Sequence, residues 1–361
     1  MIAIIIGTRP EFIKLFPLVN YLKKRKVSYK IIHTGQHYSK NLNDIFMHDF
    51  NNLKPDYNLK IGSKTHAEQT ALMMMGLEKV IKKSKFSSLI VYGDTNSALA
   101  GALVASKIKK ISLIHLEAGL RSFELKMPEE TNRKAIDHIS DILITTTKFA
   151  KNFLVNEGID KKKIYYSGNT IVDAIKFYNK KIIKNDDFLK NFELKKKEYF
   201  VLTLHRQENV DDKYKFLKII NSLNKVCKIY NFDIIFPAHP RTKKLIKVLK
   251  VNLSKNIKLV EPMNYVNFLT LIKNSRLIIT DSGGIQEESC VMKVPSITLR
   301  TSTERQETIA MGSNILSRYD IKDLLKNIKK LLKKRILWKS PYGSGDASYK
   351  IFKILKTLKK I

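Results

Sequence analysis

The stretch Leu277-Ile278-Ile279-Thr280-Asp281-Ser282-Gly283-Gly284-Ile285-Gln286-Glu287-Glu288 decides how the chain is built. Its first four residues form an apolar run, the next four are small or acidic, and a helical pattern begins after them. That is a strand, a small-residue turn and a helix start. At such a turn the backbone N–H groups and the helix dipole point at one spot. Two glycines let an anion approach the backbone closely. Glu288 falls about one helical turn in, where a carboxylate can grip hydroxyls beside that anion. The arrangement suits a sugar nucleotide, with diphosphate on the helix start and ribose on the carboxylate. The same pattern also serves as a plain glycine-bearing link between a strand and a helix.

Outward from this turn, the pattern repeats in both directions. Tyr199–Thr203, Asp233–Phe236, Ile257–Val260, Leu277–Thr280 and Ser296–Leu299 read as strands of one sheet. Ile2–Ile6, Lys30–His33, Ser88–Tyr92, Ser112–Leu116 and Ile142–Thr145 read as strands of another. The segments between, such as Pro10–Lys24 and Thr95–Lys107, carry helical periodicity. Strands apolar throughout are those of parallel sheets covered on both faces. The expected fold is α/β, with two successive doubly wound domains facing across a cleft. The domains are expected at residues 1–170 and 171–341, with the lysine-rich stretch around Lys180–Lys197 as the link. Tyr342-Gly343-Ser344-Gly345 reads as a glycine turn before a basic terminal helix.

Composition narrows the function. The 361 residues hold 67 Lys and Arg against 33 Asp and Glu, a net charge of +34. The lysines are spread along amphipathic segments and no basic motif interleaved with aromatics appears. A lysine-rich surface that attracts small anions is therefore preferred over a nucleic-acid or membrane binder. No apolar run has the length of a membrane span, and no secretory leader is recognisable. Two cysteines, Cys227 and Cys290, make neither a disulfide framework nor a metal cluster. A reducing cytoplasm is the expected setting.

The polar residues gather where strands end. Gly7-Thr8-Arg9-Pro10-Glu11 follows the first strand and places Arg9 and Lys14 near a helix start, one as a fork and one as a point charge for phosphate. Tyr92-Gly93-Asp94-Thr95 puts Asp94 at a strand end, where it is also a candidate helix cap. His115-Leu116-Glu117-Ala118-Gly119-Leu120-Arg121 and Pro128-Glu129-Glu130-Thr131-Asn132-Arg133 add Glu117, Glu129 and two arginines. Converging carboxylates raise one another's pKa and divide acid and base roles. The same carboxylates suit magnesium, but Arg9, Lys14, Arg121 and Arg133 are expected to supply the positive charge without metal. In the second half, Leu204-His205-Arg206 and Ala238-His239-Pro240-Arg241 end strands, with His205 a candidate acid/base or phosphate donor and His239 read as structural. Met263 and Phe268 follow another strand, and Phe268 is either a base-stacking ring or core. Thr303-Glu304-Arg305 opens a later helix, placing Arg305 for a diphosphate or for the acidic half of the site.

Together, in this order, these motifs resemble the non-hydrolysing UDP-N-acetylglucosamine 2-epimerases over essentially the whole chain. The resemblance implies a GT-B-type fold of two Rossmann-like domains, whose terminal helix, residues 342–361, crosses back to the first domain. It implies interconversion of UDP-GlcNAc and UDP-ManNAc by loss and re-addition of UDP, with no cofactor, as a homodimer that binds neither nucleic acid nor membrane. It assigns Asp94, Glu117, Glu129 and His205 to catalysis. It assigns Arg9, Lys14 and Arg305 to the phosphates and leaving group. Ser282, Gly283 and Gly284 match the diphosphate turn, Glu288 the ribose, and Phe268 with Met263 the uracil. Gln306 stands where the family commonly has proline, and Gln207 where many members carry a second arginine. Gln36-His37 falls in the region of a second, activating UDP-GlcNAc site of bacterial members. The rival readings are a relative acting on a UDP-diacetamido uronic acid, a hydrolysing relative and a GT-B glycosyltransferase.

Overall fold

A computed structural model describes residues 1–36, 54–238 and 240–361. The chain divides into two compact units, one formed by Met1–Phe177 with Pro341–Ile361 and the other by Tyr178–Ser340. The division falls inside the helix Thr170–Ile183. No helix among the described residues is long and apolar enough to cross a membrane.

The first unit holds strands β1 (Ile2–Ile6), β2 (Tyr29–His33), β3 (Tyr57–Asn58), β4 (Ser88–Tyr92), β5 (Ser112–Ala118), β6 (Ile142–Thr145) and β7 (Ile164–Tyr166). They form one sheet in the order β3-β2-β1-β4-β5-β6-β7, with parallel pairings throughout. Alternate residues of β1 serve opposite faces. Ile2, Ile4 and Ile6 pack with Leu15, Leu18 and Leu22 of the helix Arg9–Lys24. Ala3 and Ile5 pack with Met73 and Leu77 of the helix His66–Lys82 and with the alanine-rich helix Asn96–Ser106. Burying both faces of a strand requires the unbroken apolar runs that the sequence displays.

The second unit holds β8 (Tyr199–Thr203), β9 (Asp233–Pro237), β10 (Ile257–Val260), β11 (Leu277–Thr280), β12 (Ser296–Thr298) and β13 (Asn314–Leu316), in the order β10-β9-β8-β11-β12-β13 and again parallel. Phe200 and Leu202 of β8 face one apolar cluster, Tyr199 and Val201 the other. The architecture is α/β with two Rossmann-like units. Strands β3, β7 and β13, absent from the sequence expectation, are two or three residues long and lie at sheet edges.

In both sheets the strand order reverses direction once, between β1 and β4 and between β8 and β11. Loops leaving the two strands at such a point run to opposite sides, which opens a crevice at their carboxyl ends. The candidate residues concentrate at these two points.

The C-terminal helix Ala347–Thr357 belongs to the first unit. Its Ile351 and Leu355 are buried in the cluster that contains Ile2, Ile4 and Leu15. Asp173 receives the N–H groups of Ala347 and Ser348 at 3.2 and 2.9 Å, an acid at the positive end of a helix. Beyond the helix, Ser88 Oγ donates to the Lys360 carbonyl at 3.0 Å. Leu355→Ala is expected to cost the first unit about 3 kcal/mol through the cavity it leaves. Hydrogen exchange in urea is the measurement: β1 and β4 should lose protection before β8 and β11, and equal protection in β1 before and after substitution would count against this placement.

Candidate active site

In the first unit the turn after β1 is held by a capping box. Thr8 caps the helix Arg9–Lys24, Pro10 occupies its first turn, and Glu11 reaches back. One Glu11 oxygen, Oε2, accepts from the N–H groups of Gly7 and Thr8 at 2.7 and 2.8 Å. The other accepts from the Thr95 hydroxyl at 2.5 Å, on the turn after β4. Gly7 has no room for a side chain, since a Cβ there would lie 1.8 Å from Ser97 Oγ. Arg9, partly exposed, is the first residue of the helix, and Lys14, buried, lies on its second turn.

Lys14 is paired with Glu117. Glu117 lies within β5, where the register with β6 slips and its own φ is +68°. That left-handed conformation is unfavourable for a residue with a side chain and is held by its surroundings. Asp94 Oδ2 accepts from Arg133 at 2.6 and 3.1 Å, and the Asp94 carbonyl accepts from Asn132 Nδ2 at 2.9 Å. Glu129 starts the helix Pro128–Ile139 half-exposed, in its first turn.

Arg133 also pairs with Glu130. Burial drives the Glu130 carboxyl upward, but hydrogen bonds from Ser122 and the charge of Arg133 hold it below the usual range. Arg121 departs from the expectation of a site cation. It is fully buried, forked between Asp137 at 2.7 Å and Glu157 at 2.5 Å. His115 joins the same network through Asp137 at 2.7 Å and the Gly93 carbonyl at 2.8 Å. A guanidinium so enclosed is neutralised where it lies, and it sets the loop after β5 rather than meeting a ligand.

In the second unit Asp281 is the hub. It is fully buried and accepts from the N–H groups of His205 and Arg206, each at 3.0 Å, and from Asn209 Nδ2 at 3.2 Å. His205 Nδ1 lies 3.1 Å from it, which directs Nε2 away from the carboxylate on a half-exposed ring. Burial pushes the Asp281 carboxyl up, yet His205 and these N–H donors keep it below the usual range.

Ser282 precedes the helix Gly283–Val291 without capping it through its side chain, so the first-turn N–H groups carry no side-chain cap. A Cβ on Gly283 would lie 2.3 Å from Glu304 Oε1, whereas a Cβ on Gly284 would meet no protein atom within 4 Å. Arg305 sits beside this start, paired with Glu287 at 2.5 Å and 3.8 Å from Glu304. Arg206 and Arg300 approach Glu304 at 3.5 and 2.9 Å. Glu288 is buried and its Oε1 accepts from the Tyr265 hydroxyl at 2.9 Å. Met263 and Phe268 are partly buried against the cluster of Tyr199 and Ile285. His37 and His239 lie outside the described residues; Gln36 accepts from the Ser97 hydroxyl at 2.7 Å.

The structure thus gathers Arg9, Lys14, Asp94 and Glu117 around the β1–β4 crevice, and His205, Ser282, Gly283, Gly284 and Arg305 around the β8–β11 crevice. Glu11, Asp281 and Glu304 lie among them without having been singled out. For Glu11 the signal was present, as a glutamate three residues after a helix-capping threonine.

The family model described as UDP-N-acetylglucosamine 2-epimerase matches residues 20–356. The chain belongs to that family. It is 48% identical to the UDP-N-acetylglucosamine 2-epimerase of Methanocaldococcus jannaschii, over 98% of each chain. A crystal structure of the M. jannaschii UDP-GlcNAc 2-epimerase in complex with UDP-GlcNAc and UDP matches at a TM-score of 0.93 and 48% identity, covering 99% of both chains. The epimerase family thus extends through both units of this chain. A UDP-2,3-diacetamido-2,3-dideoxy-D-glucuronate 2-epimerase of Pseudomonas aeruginosa is 37% identical over 99% of each chain.

Burial of Glu11 lifts its carboxyl from 4.5 to about 7, with the bonds from Thr95, Gly7 and Thr8 opposing. The folded state therefore binds a proton that the unfolded chain has released. The stability this provides at low pH is lost as pH rises from 4.5 to about 7. The loss is about 3 kcal/mol. Urea midpoints at either end of that range should differ accordingly, and Glu11→Gln should flatten the difference; an unchanged slope in that variant would place the proton elsewhere.

Proposed function

We propose that the chain interconverts UDP-GlcNAc and UDP-ManNAc. The reading is carried by the full-length match to a 2-epimerase whose structure holds UDP-GlcNAc and UDP. The chemistry of the residues supports it. A base removes the C2 proton of the sugar, the electron pair forms a C1–C2 double bond, and the bond from C1 to the diphosphate oxygen breaks. UDP then returns to C1 while a proton is delivered to the opposite face of C2. Both steps need carboxylates for the proton and cations for the diphosphate charge.

Asp94, Glu117 and Glu129 are assigned to the proton steps, with His205 as an acid or hydrogen-bond donor through Nε2. Ion pairs with Arg133 and Lys14 hold the carboxylates of Asp94 and Glu117 in place. Arg9, Lys14 and Arg305 are assigned to the phosphates. Ser282, Gly283 and Gly284 receive the diphosphate and Glu288 the ribose, with Met263 and Phe268 beside the base. The expected assembly is a homodimer in the cytoplasm, supplying UDP-ManNAc to cell-surface glycan synthesis.

The Pseudomonas relative supports a second reading, a UDP-diacetamido uronate as substrate. The test is incubation in deuterated water with each UDP-sugar. Deuterium at C2 of UDP-GlcNAc, a mixture of both epimers and no accumulation of UDP are expected. Free ManNAc with matching UDP indicates the hydrolysing reaction, exchange only with the uronate selects the second reading, and no exchange with either removes epimerisation.

The two glycines separate folding from binding. Gly284→Ala should weaken UDP about tenfold, or ~1.4 kcal/mol, with its melting temperature unchanged, because its Cβ meets only the space assigned to the diphosphate. Gly283→Ala should lose both affinity and stability through the contact with Glu304. Calorimetric titration with UDP and thermal melts measure the two effects, and full UDP affinity in the Gly284 variant would move the diphosphate elsewhere.

A further inference from the structure

Glu11 forms more contacts than a helix cap requires. Capping needs only the bonds within its own turn, from the N–H groups of Gly7 and Thr8. Its third bond reaches across the β1–β4 reversal to the Thr95 hydroxyl. Thr95 Oγ1 meanwhile accepts from the Ala98 N–H at 3.1 Å, so its own proton is free to go to Glu11. The carboxyl is buried, a cost that a solvent-exposed capping glutamate avoids. Burial is accepted where the group connects two elements.

The connected elements are functional ones. The first turn leads into Arg9 and Lys14, and the second carries Asp94. Asp94 is fixed on its other side by Asn132, which donates to its carbonyl at 2.9 Å, and by Arg133. Thr95, the next residue, is fixed by Glu11. Gly93 on one side is held by Leu116 and His115 of the adjacent strand and Thr95 on the other caps the helix Asn96–Ser106, while the Glu11 bond ties this turn to the turn after β1.

We propose that Glu11 is a positioning residue of the reaction, which through Thr95 holds the turn bearing Asp94 in register with the turn leading to Arg9 and Lys14. It touches no reacting atom. This role rests on the epimerase reading above. Small displacements of a proton-transferring group slow chemistry far more than they weaken binding. Loss of the Glu11–Thr95 bond should therefore appear in kcat, and Thr95→Val, which leaves the bonds of Glu11 to Gly7 and Thr8 in place, should spare UDP affinity.

The experiment is a cycle on the full chain with Glu11→Ala, Thr95→Val and the double variant, plus Glu11→Gln and Thr95→Ser. Each is assayed for deuterium exchange at C2 of UDP-GlcNAc, for UDP affinity and for melting temperature. Each disruptive single variant should lose about tenfold or more in kcat, and Thr95→Val should keep UDP affinity within about threefold of the unaltered chain. The double variant should lose less than the product of the two single losses, because the Glu11–Thr95 bond is common to both substitutions. Glu11→Gln should recover most of the rate, its amide oxygen accepting from Gly7 and Thr8 and its N–H donating to Thr95. Thr95→Ser, which keeps the hydroxyl, should do the same.

Unaltered kcat in Glu11→Ala or in Thr95→Val overturns the proposal, as do losses that multiply in the double variant. If Glu11→Ala fails to fold, Thr95→Val and Thr95→Ser decide the matter alone. No exchange in the unaltered chain overturns the epimerase reading itself, and that control distinguishes the two failures.

Discussion

Where the order of a parallel sheet reverses, neighbouring strands end with their loops departing to opposite sides. Backbone groups at those ends lose their ladder partners and still require hydrogen bonds when buried. In this chain each reversal is closed by a buried carboxylate. Glu11 joins the ends of β1 and β4 through Gly7, Thr8 and Thr95. Asp281, at the end of β11, accepts from the backbone of His205 and Arg206 at the end of β8. The groups to which function is assigned hang from these two clamps: Arg9, Lys14 and Asp94 from one, His205 and the glycine turn from the other.

The clamps bring further charges indoors. Lys14 with Glu117, Arg133 with Glu130 and Asp94, and Arg305 with Glu287 are pairs with one or both partners buried. Such pairs add little net stability, because desolvation offsets attraction, but removing one partner strands the other. Their value here is geometric. Glu117 illustrates it: a strand residue with φ of +68° is strained, and its ion pair with Lys14 fixes where the carboxylate points. A carboxylate on regular extended backbone would alternate with the pleat of β5.

Much of this was legible in the sequence, for reasons that individual elements make plain. Ile2–Ile6, Ser88–Tyr92 and Leu277–Thr280 are apolar runs bounded by glycine or acid, and their limits match the strands. Tyr57–Asn58 and Ile164–Tyr166 are too short to show a period and pair along one edge only. The extension of β5 past Leu116 depends on a bulge, which no residue pattern announced. Arg121 was read as a site cation because it follows a strand; whether an arginine there faces ligand or core depends on Asp137 and Glu157, 16 and 36 positions away. Glu11 was visible as a cap, but its reach to Thr95 depends on β1 and β4 being neighbours, a fact of topology.

The terminal helix carries a consequence for how the molecule is made. The second unit is one uninterrupted segment, Tyr178–Ser340, and it is complete before Pro341–Ile361 is synthesised. The first unit begins the chain yet needs its last residues, since Ile351 and Leu355 fill the core beneath Ile2 and Ile4. During translation, therefore, the half that emerges first must wait with an unsealed apolar face while the later half closes. Until Ile351 and Leu355 arrive, the apolar face of β1 and β4 lacks the helix that covers it.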